Sequence, residues 1–369
     1  MKVTCRQKDL AFALSLVNRA VSPNTTLPVL NNILIKAQGK KLYFSATNLE
    51  VAITYYMDVE VFNEGAITVP AKLITNYVSL LREEEVELKL EEGLNLSVKT
   101  PLSHTKIKGI DHSEFPVIPE VEQGTHFSVP KDVLSTAINQ TGFAASTNVS
   151  RPVLTGILFK LEGKDLYMVA TDSYRLSEKK VALDQSVSES IECIIPARTI
   201  LELGKILGSY DGDKVEFRVT KNQVLMTLGN LRVISRLIEG NFPDYKKIIP
   251  ASSKTNVTVN LNDLVLAVRK VSLFVQETNN NVKVSVTNDG KLIVSTDETQ
   301  IGEGTAEVDV TIDGDNNKIA LNAQYILDAL SHLSAETISF AVDNKLAPVT
   351  IKPVQNGTEY THIIMPLKL

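Results

Sequence analysis

Apolar residues recur along this chain with two different periods, and the switch between them marks its elements. Three- and four-residue spacing, as in Leu264, Val268, Val271 and Val275 or in Ile326, Leu327, Leu330 and Leu333, predicts amphipathic helices. Six such segments stand out, at 7–22, 70–82, 130–144, 196–208, 261–275 and 322–333. Strict alternation in KVEFRV, KLIVSTD and KKLYFSAT predicts strands with one buried and one solvated face. The order is a helix, several strands, a second helix and more strands, three times over. That order predicts an α+β chain of mostly antiparallel sheets with helices on one face.

The elements recur because the sequence does. ITVPAKLITNYVSLL at 67–81 returns as CIIPARTILELGKIL at 193–207 and as IALNAQYILDALSHL at 319–333, so that Pro70, Pro196 and Asn322 lie 126 residues apart each time. Thr47 of SATN, Thr171 of VATD and Thr296 of VSTD keep nearly the same period, SPNTTLPVL at 22–30 matches STNVSRPVL at 146–154, and Phe115-Pro116 matches Phe242-Pro243. Independent markers with one period predict three domains of one fold. The Pro-rich, polar stretches at 114–131 and 242–260 read as linkers, which places the domains at 1–124, 125–252 and 253–369. Asp9, Asp132 and Asp263 are expected at or near the start of the first helix of each repeat, where a carboxylate caps or meets the positive helix end.

Composition narrows the function. The chain of 369 residues is 43% apolar, enough for several cores, and its two cysteines, Cys5 and Cys193, fit no disulfide framework or metal spacing, which points to a reducing compartment, the cytoplasm. The N-terminal stretch, interrupted by Arg6, Gln7, Lys8 and Asp9, does not read as a signal peptide, and no apolar run reaches the roughly 18 residues of a membrane span. A net charge of −5 argues against a generally basic nucleic-acid binder, but the six helical segments carry nine basic and five acidic residues, leaving −9 for the rest. The basic residues are Lys8, Arg19, Lys72, Arg82, Lys131, Arg198, Lys205, Arg269 and Lys270. A positive helix surface on an acidic protein predicts weak, salt-sensitive, sequence-independent contact with DNA; the plainer reading is that these side chains cover the solvent faces of the helices. Zinc-finger spacing, a basic zipper and an aromatic single-strand motif are all missing, so base-specific reading is not expected.

Catalysis finds little footing. GxSxG, GxxxxGK[ST] and HExxH are absent, and the five histidines, at 104, 112, 126, 332 and 362, are scattered and read as structural or surface residues. EEEVELKLEE at 83–92 reads as a solvated turn and strand. Asp313, Asp315 and Asn317 imitate the start of a calcium loop, but Lys318 stands where that loop needs glycine and Gln324 where it needs glutamate, so DGDNN reads as a turn. No cofactor or metal is expected.

VATDSYRL at 169–176, IIPARTILEL at 194–203, GNFPDYKKIIP at 240–250 and the terminal HIIMPLKL resemble the bacterial DNA sliding clamps, the beta subunits of DNA polymerase III, and the resemblance runs the whole length of the chain. It implies a non-enzymatic processivity factor of three tandem clamp-fold domains. Two chains would close head to tail into a ring, with sheets outside and two helices per domain lining a hole around duplex DNA. It also implies one peptide-binding groove per chain, receiving short linear motifs from the replicative polymerase, the clamp-loader ATPase, and repair and translesion polymerases. Carried over, the groove comprises Arg151, Leu154, Thr171, Ser173, Tyr174, Arg175, Leu176, Pro243, Lys247, Ile248, Asn322, Tyr325, Pro348, Ile364, Met365, Pro366 and Leu367. The tail IIMPLKL suits such a groove, with an adaptable methionine and a rigid proline, though it also reads as a last edge strand docked in its own domain. Tyr174 and Lys368 depart from the family's usual histidine and arginine. Loops holding Asn24 and Asn148 correspond to those that approach DNA, and ring closure would use Thr105 and Ile107 with Phe274 and Val275. Without the resemblance, two other readings fit: a scaffold that binds proteins but not DNA, and an enzyme with an unrecognised pocket of perturbed acids or bases.

Overall fold

The computed structural model describes residues 1–22, 27–82, 84–187, 189–275, 280–298, 300–354 and 359–367. Two helices appear in each repeat: α1 (Gln7–Val17), α2 (Ala71–Leu80), α3 (Lys131–Thr141), α4 (Ala197–Leu207), α5 (Leu261–Ser272) and α6 (Ala323–Ser331). The apolar spacing does what it predicts: Leu264, Ala267, Val268 and Val271 form the buried stripe of α5. Asparagines, not the repeated aspartates, cap the last two helices. The Asn260 side chain accepts from the Asn262 and Asp263 N–H groups, and Asn322 from those of Gln324 and Tyr325, while Asp9, Asp132 and Asp263 sit inside the first turn and meet the helix dipole instead.

Every helix is shorter than its apolar period suggested, and each stop has a local cause. Sheet pairing claims the residues after α2, because Glu85 pairs with Arg6 and the Glu84 carbonyl accepts from the Gln7 N–H at 2.8 Å. Gly142 opens a 3-10 turn after α3, and Asn18–Ala20 form another after α1. None of the helices among the described residues is long and apolar enough to cross a membrane.

All strand pairings are antiparallel, and the chain forms two compact units, with the middle repeat divided between them. The first unit holds residues 1–132 and 205–237. One of its sheets runs Glu60–Asn63, Lys2–Arg6, Glu85–Glu91, Asn95–Lys99, His104–Lys108. The other has eight strands in the order Thr125–Pro130, Lys214–Val219, Gln223–Leu228, Leu231–Arg236, Val51–Asp58, Lys41–Thr47, Asn32–Gln38, Gly65–Pro70. The second unit, residues 133–204 and 238–369, carries a single twelve-stranded sheet from Ile191–Pro196 to Asn317–Asn322. Its largest core lies under α5 and α6, where Val268, Ile326 and Leu330 meet Val284, Leu292 and Phe340.

Both long sheets exist because the last strand of one repeat pairs with the sheet of the repeat before it. In the first unit Leu231–Arg236 lies along Val51–Asp58, with Ser235 opposite Val51; in the second Tyr360–Ile364 lies along Arg175–Ala182, with Ile364 opposite Arg175. The chain leaves these strands by the same two hydrogen bonds each time. Arg236 N–H donates to the Glu50 carbonyl and Ile238 N–H to Ile194; Met365 N–H donates to Tyr174 and Leu367 N–H to Ala320. The repeat seen in sequence is therefore a repeat of joints as well as of domains.

Cys5 and Cys193 are buried and unpaired, and burial, helped by Asp9 and Glu192 respectively, pushes both thiols up to about 12. Neither should react with a thiol-disulfide dye in the native protein at pH 8, whereas two thiols per chain should react after unfolding in urea. Rapid labelling without denaturant would contradict this packing.

Candidate partner-binding groove and basic helices

The loop after Asp165–Thr171 is built by its own side chains. Thr171 Oγ1 donates to the Arg175 carbonyl at 2.6 Å and accepts from Ser173 N–H, while Asp172 Oδ1 accepts from the N–H groups of Tyr174 and Arg175, both at 2.9 Å. Ser173 is held in the left-handed region, φ 81°. This projects the Tyr174 ring into solvent, 61% exposed, while its carbonyl holds the Met365 N–H. The same turn recurs at Thr47-Asn48 with Leu49 at φ 74°, which explains why the Thr-Asx pair was a repeat marker. The pair is a turn-forming device, not a catalytic acid.

Arg175 is where the second repeat differs from the first, which has Val51 at the matching place. The Arg175 guanidinium is 12% exposed and all three of its nitrogens donate inward: Nε to Asp172 Oδ2 at 3.0 Å, Nη2 to the Phe143 carbonyl at 3.1 Å, and Nη1 to Asp328 of α6. It also lies over the Tyr325 ring, 4.6 Å from the centroid. Beneath it Phe143 stacks on His332 at 4.2 Å and on His362 at 5.5 Å, and His362 Nδ1 shares a 2.7 Å hydrogen bond with Ser177. Burial, then Arg175 and His332, lowers the His362 imidazole to about 3, so the ring is neutral in the folded protein.

Around this hub the structure gathers much of the expected groove. Leu154, Leu176 and Ile364 are buried and form its floor, while Met365, Pro366, Leu367 and Tyr325 stay half-buried. The strand Tyr360–Ile364 settles the two readings of the tail: it pairs both with Val349–Pro353 of its own repeat and with Arg175–Ala182. Arg151 Nη1 reaches Ser173 Oγ at 3.0 Å, and Asn322 caps α6. Pro348, half-buried, ends the loop before Val349. Phe242 and Tyr245 pin the linker onto Leu158, Val169 and Leu176, leaving Pro243, Lys247 and Ile248 exposed along it, Lys247 paired with Asp244 at 2.9 Å. Sequence reasoning missed Asp328, Phe143 and the pairing of two histidines taken as scattered. No local signal marks them, since Asp328 lies 153 residues from Arg175.

The basic set is thinner than the apolar periods implied. Lys8, Lys72, Lys131, Arg198, Lys205, Arg269 and Lys270 lie in helices, against Asp9, Asp132, Glu202, Asp263 and Asp328, a net +2 and not +4. Arg19 falls on the 3-10 turn after α1 and Arg82 beyond the end of α2. Lys72, Arg198, Lys205, Arg269 and Lys270 are exposed, whereas Lys131 is half-buried and its Nζ donates to the Tyr210 carbonyl at 3.0 Å. Asn148 is exposed and accepts from Ser150 N–H; Asn24 lies outside the described residues. Of the closure residues, Ile107 and Val275 are buried in the cores of their own chain, Thr105 is half-buried on the strand His104–Lys108, and the Phe274 ring lies against Gly304, where an added Cβ would come within 2.7 Å of it.

The family models of the DNA polymerase III beta subunit match along the chain: the N-terminal domain at 1–119, the central domain at 128–244 and the C-terminal domain at 246–368. The beta sliding clamp of Staphylococcus epidermidis is 30% identical over 377 residues, covering 100% of this chain and 99% of that protein. The crystal structure of the DNA polymerase sliding clamp from Bacillus subtilis, 30% identical, matches with a TM-score of 0.95 over 100% of this chain and 99% of that one. A sliding clamp of Pseudomonas aeruginosa bound to griselimycin, 27% identical, matches with a TM-score of 0.95 over 100% of both chains.

The neutral His362 carries a pH signature. Its folded-state pKa lies below that of the unfolded chain, so acidification protonates the unfolded state first and stability falls as pH drops from about 6.5 towards 3, at up to ~1.4 kcal/mol per pH unit. His362→Asn keeps a partner for Ser177 and removes the titration. Between pH 7 and pH 5 the urea midpoint of the parent should fall more steeply than that of the variant; parallel curves would mean that His362 is not the group responsible.

Proposed function

Because the chain belongs to the family of the DNA polymerase III beta subunit, the bacterial sliding clamps, and is a processivity factor of DNA replication, we propose that two copies close head to tail into a ring around duplex DNA. The observation that carries this is the joint made twice within the chain. Each joint consumes the last strand of one repeat and an open edge of the repeat before it. Among the described residues one of each remains: His104–Lys108 pairs only with Asn95–Lys99, and residues 305–309 pair only with Lys291–Ser295. A third joint of the same kind, between copies, would use both edges and leave neither exposed.

The burial of Ile107 and Val275 makes this closure chiefly one of backbone pairing, with Thr105 and Phe274 beside it; the Phe274 ring lies against Gly304 where the open edge begins. Six domains, divided in each chain near 124 and 252, would then place twelve helices around the hole. Lys72, Arg198, Lys205, Arg269 and Lys270, with Arg19 and Arg82 beside them, would meet phosphate weakly and without reading bases. Weak contact fits the modest net helix charge: the link is topological, so affinity need not hold the ring on DNA. The groove around Tyr174, Tyr325 and Met365 would receive short motifs from the replicative polymerase, the clamp-loader ATPase, and repair and translesion polymerases, in the cytoplasm and with no chemistry of its own.

After loading by the cognate clamp loader and ATP, the protein should stay on circular plasmid through a wash at moderate salt and run off the linearised form. Equal release from both would reduce the binding to electrostatics alone. In a separate titration, griselimycin should compete with a fluorescein-labelled peptide carrying the clamp-binding segment of the cognate polymerase, and Met365→Lys should abolish peptide binding. Unchanged binding to that variant would move the site elsewhere.

A further inference from the structure

The Arg175 side chain is in the wrong place to greet a partner. Each of its nitrogens donates into the protein, to Asp172, Asp328 and the Phe143 carbonyl, and its flat face covers Tyr325. Asp328 is committed in the same way: Oδ2 takes Arg175 Nη1, and Oδ1 takes Gln324 Nε2 at 2.6 Å. The result is a latch between the loop 171–175 and α6. The first repeat builds the same Thr-Asx turn with the same left-handed residue, but Val51 cannot donate to anything, so that loop has no such latch.

We propose that Asp328 is a positioning residue of the partner groove, acting through Arg175 and not by touching the partner. This rests on the groove reading above. The loop it secures presents the exposed Tyr174 ring on one side and, through the Tyr174 carbonyl, fixes Met365 on the other. Without the carboxylate, the Arg175 guanidinium loses its partner on α6, the 172–175 segment is held only by its own turn, and both walls lose their fixed spacing. A partner's apolar anchors then bind a surface that must first be ordered, and affinity falls although no contact to the partner has been removed. The charge-assisted, partly buried geometry makes this latch stronger than the exposed lysine–carboxylate pairs elsewhere on the chain.

The test is fluorescence anisotropy with the fluorescein-labelled polymerase peptide, on the full chain, with folding of each variant checked by circular dichroism. Asp328→Asn, which keeps the shape and removes the charge, should weaken binding about five- to tenfold, and Asp328→Glu, which restores a carboxylate, should recover most of it. Arg175→Gln should cost about as much as Asp328→Asn, and the double variant little more than either, since both break one latch. Retention on circular plasmid should not change in any of them. Wild-type affinity in Asp328→Asn, alongside the loss in Met365→Lys, would overturn the positioning role and leave the groove standing. Additive losses, with Arg175→Gln much the worse, would overturn it in favour of direct contact by Arg175. No peptide binding by the parent protein would remove the groove reading and this inference with it.

Discussion

The architecture depends on one recurring interaction, the antiparallel pairing of a repeat's last strand with the open edge of the repeat before it. A strand edge exposes a row of unsatisfied N–H and C=O groups, and a small domain with such an edge is prone to uncontrolled pairing. This chain spends the hazard on its own construction. Ser235 opposite Val51 and Ile364 opposite Arg175 occupy matching positions, and the hydrogen bonds that follow, from Arg236 and Met365, match as well. What differs between the joints is not the backbone but the side chains laid on it.

That difference gives the second joint its function. At the first, the Thr-Asx turn ends in Val51; at the second it ends in Arg175, whose guanidinium gathers Asp172, Asp328, Phe143 and Tyr325. A charge with little exposure is stable only when its donors are satisfied, and here each nitrogen is. The neutral His362 below it follows the same rule: next to a buried cation and away from water, the imidazole gives up its charge and keeps one hydrogen bond to Ser177. The turn, the latch and the neutral ring make a stiff support for a surface whose exposed residues, Tyr174 and the half-buried Met365, are adaptable.

The charge distribution answers a different demand. A ring that must move along DNA gains nothing from tight phosphate contacts, and helices with seven cations against five anions are suited to attraction without fixed registry. Lys131, turned to the Tyr210 carbonyl, is partly withdrawn from that role, whereas Arg198, Lys205, Arg269 and Lys270 are exposed.

By itself the sequence determined whatever depends on neighbours along the chain. Apolar spacing placed six helices, alternation placed strands such as Lys214–Val219 and Lys291–Ser295, and the period of Pro70, Pro196 and Asn322 revealed one fold built three times. It overran the helix ends, because a helix stops where a sheet takes its residues, as at Glu84 and Glu85, and that competition is not local. Groove residues became legible only through resemblance, since Arg151, Tyr325 and Met365 share no period. Only the tertiary structure decided that Arg175 faces inward, that Ile107 and Val275 are already buried, and that Asp328, Phe143 and His362 belong to one cluster. The reason is geometric: periodicity reports which face of an element is apolar, but the partner of a buried charge is chosen by how elements 153 residues apart are brought together.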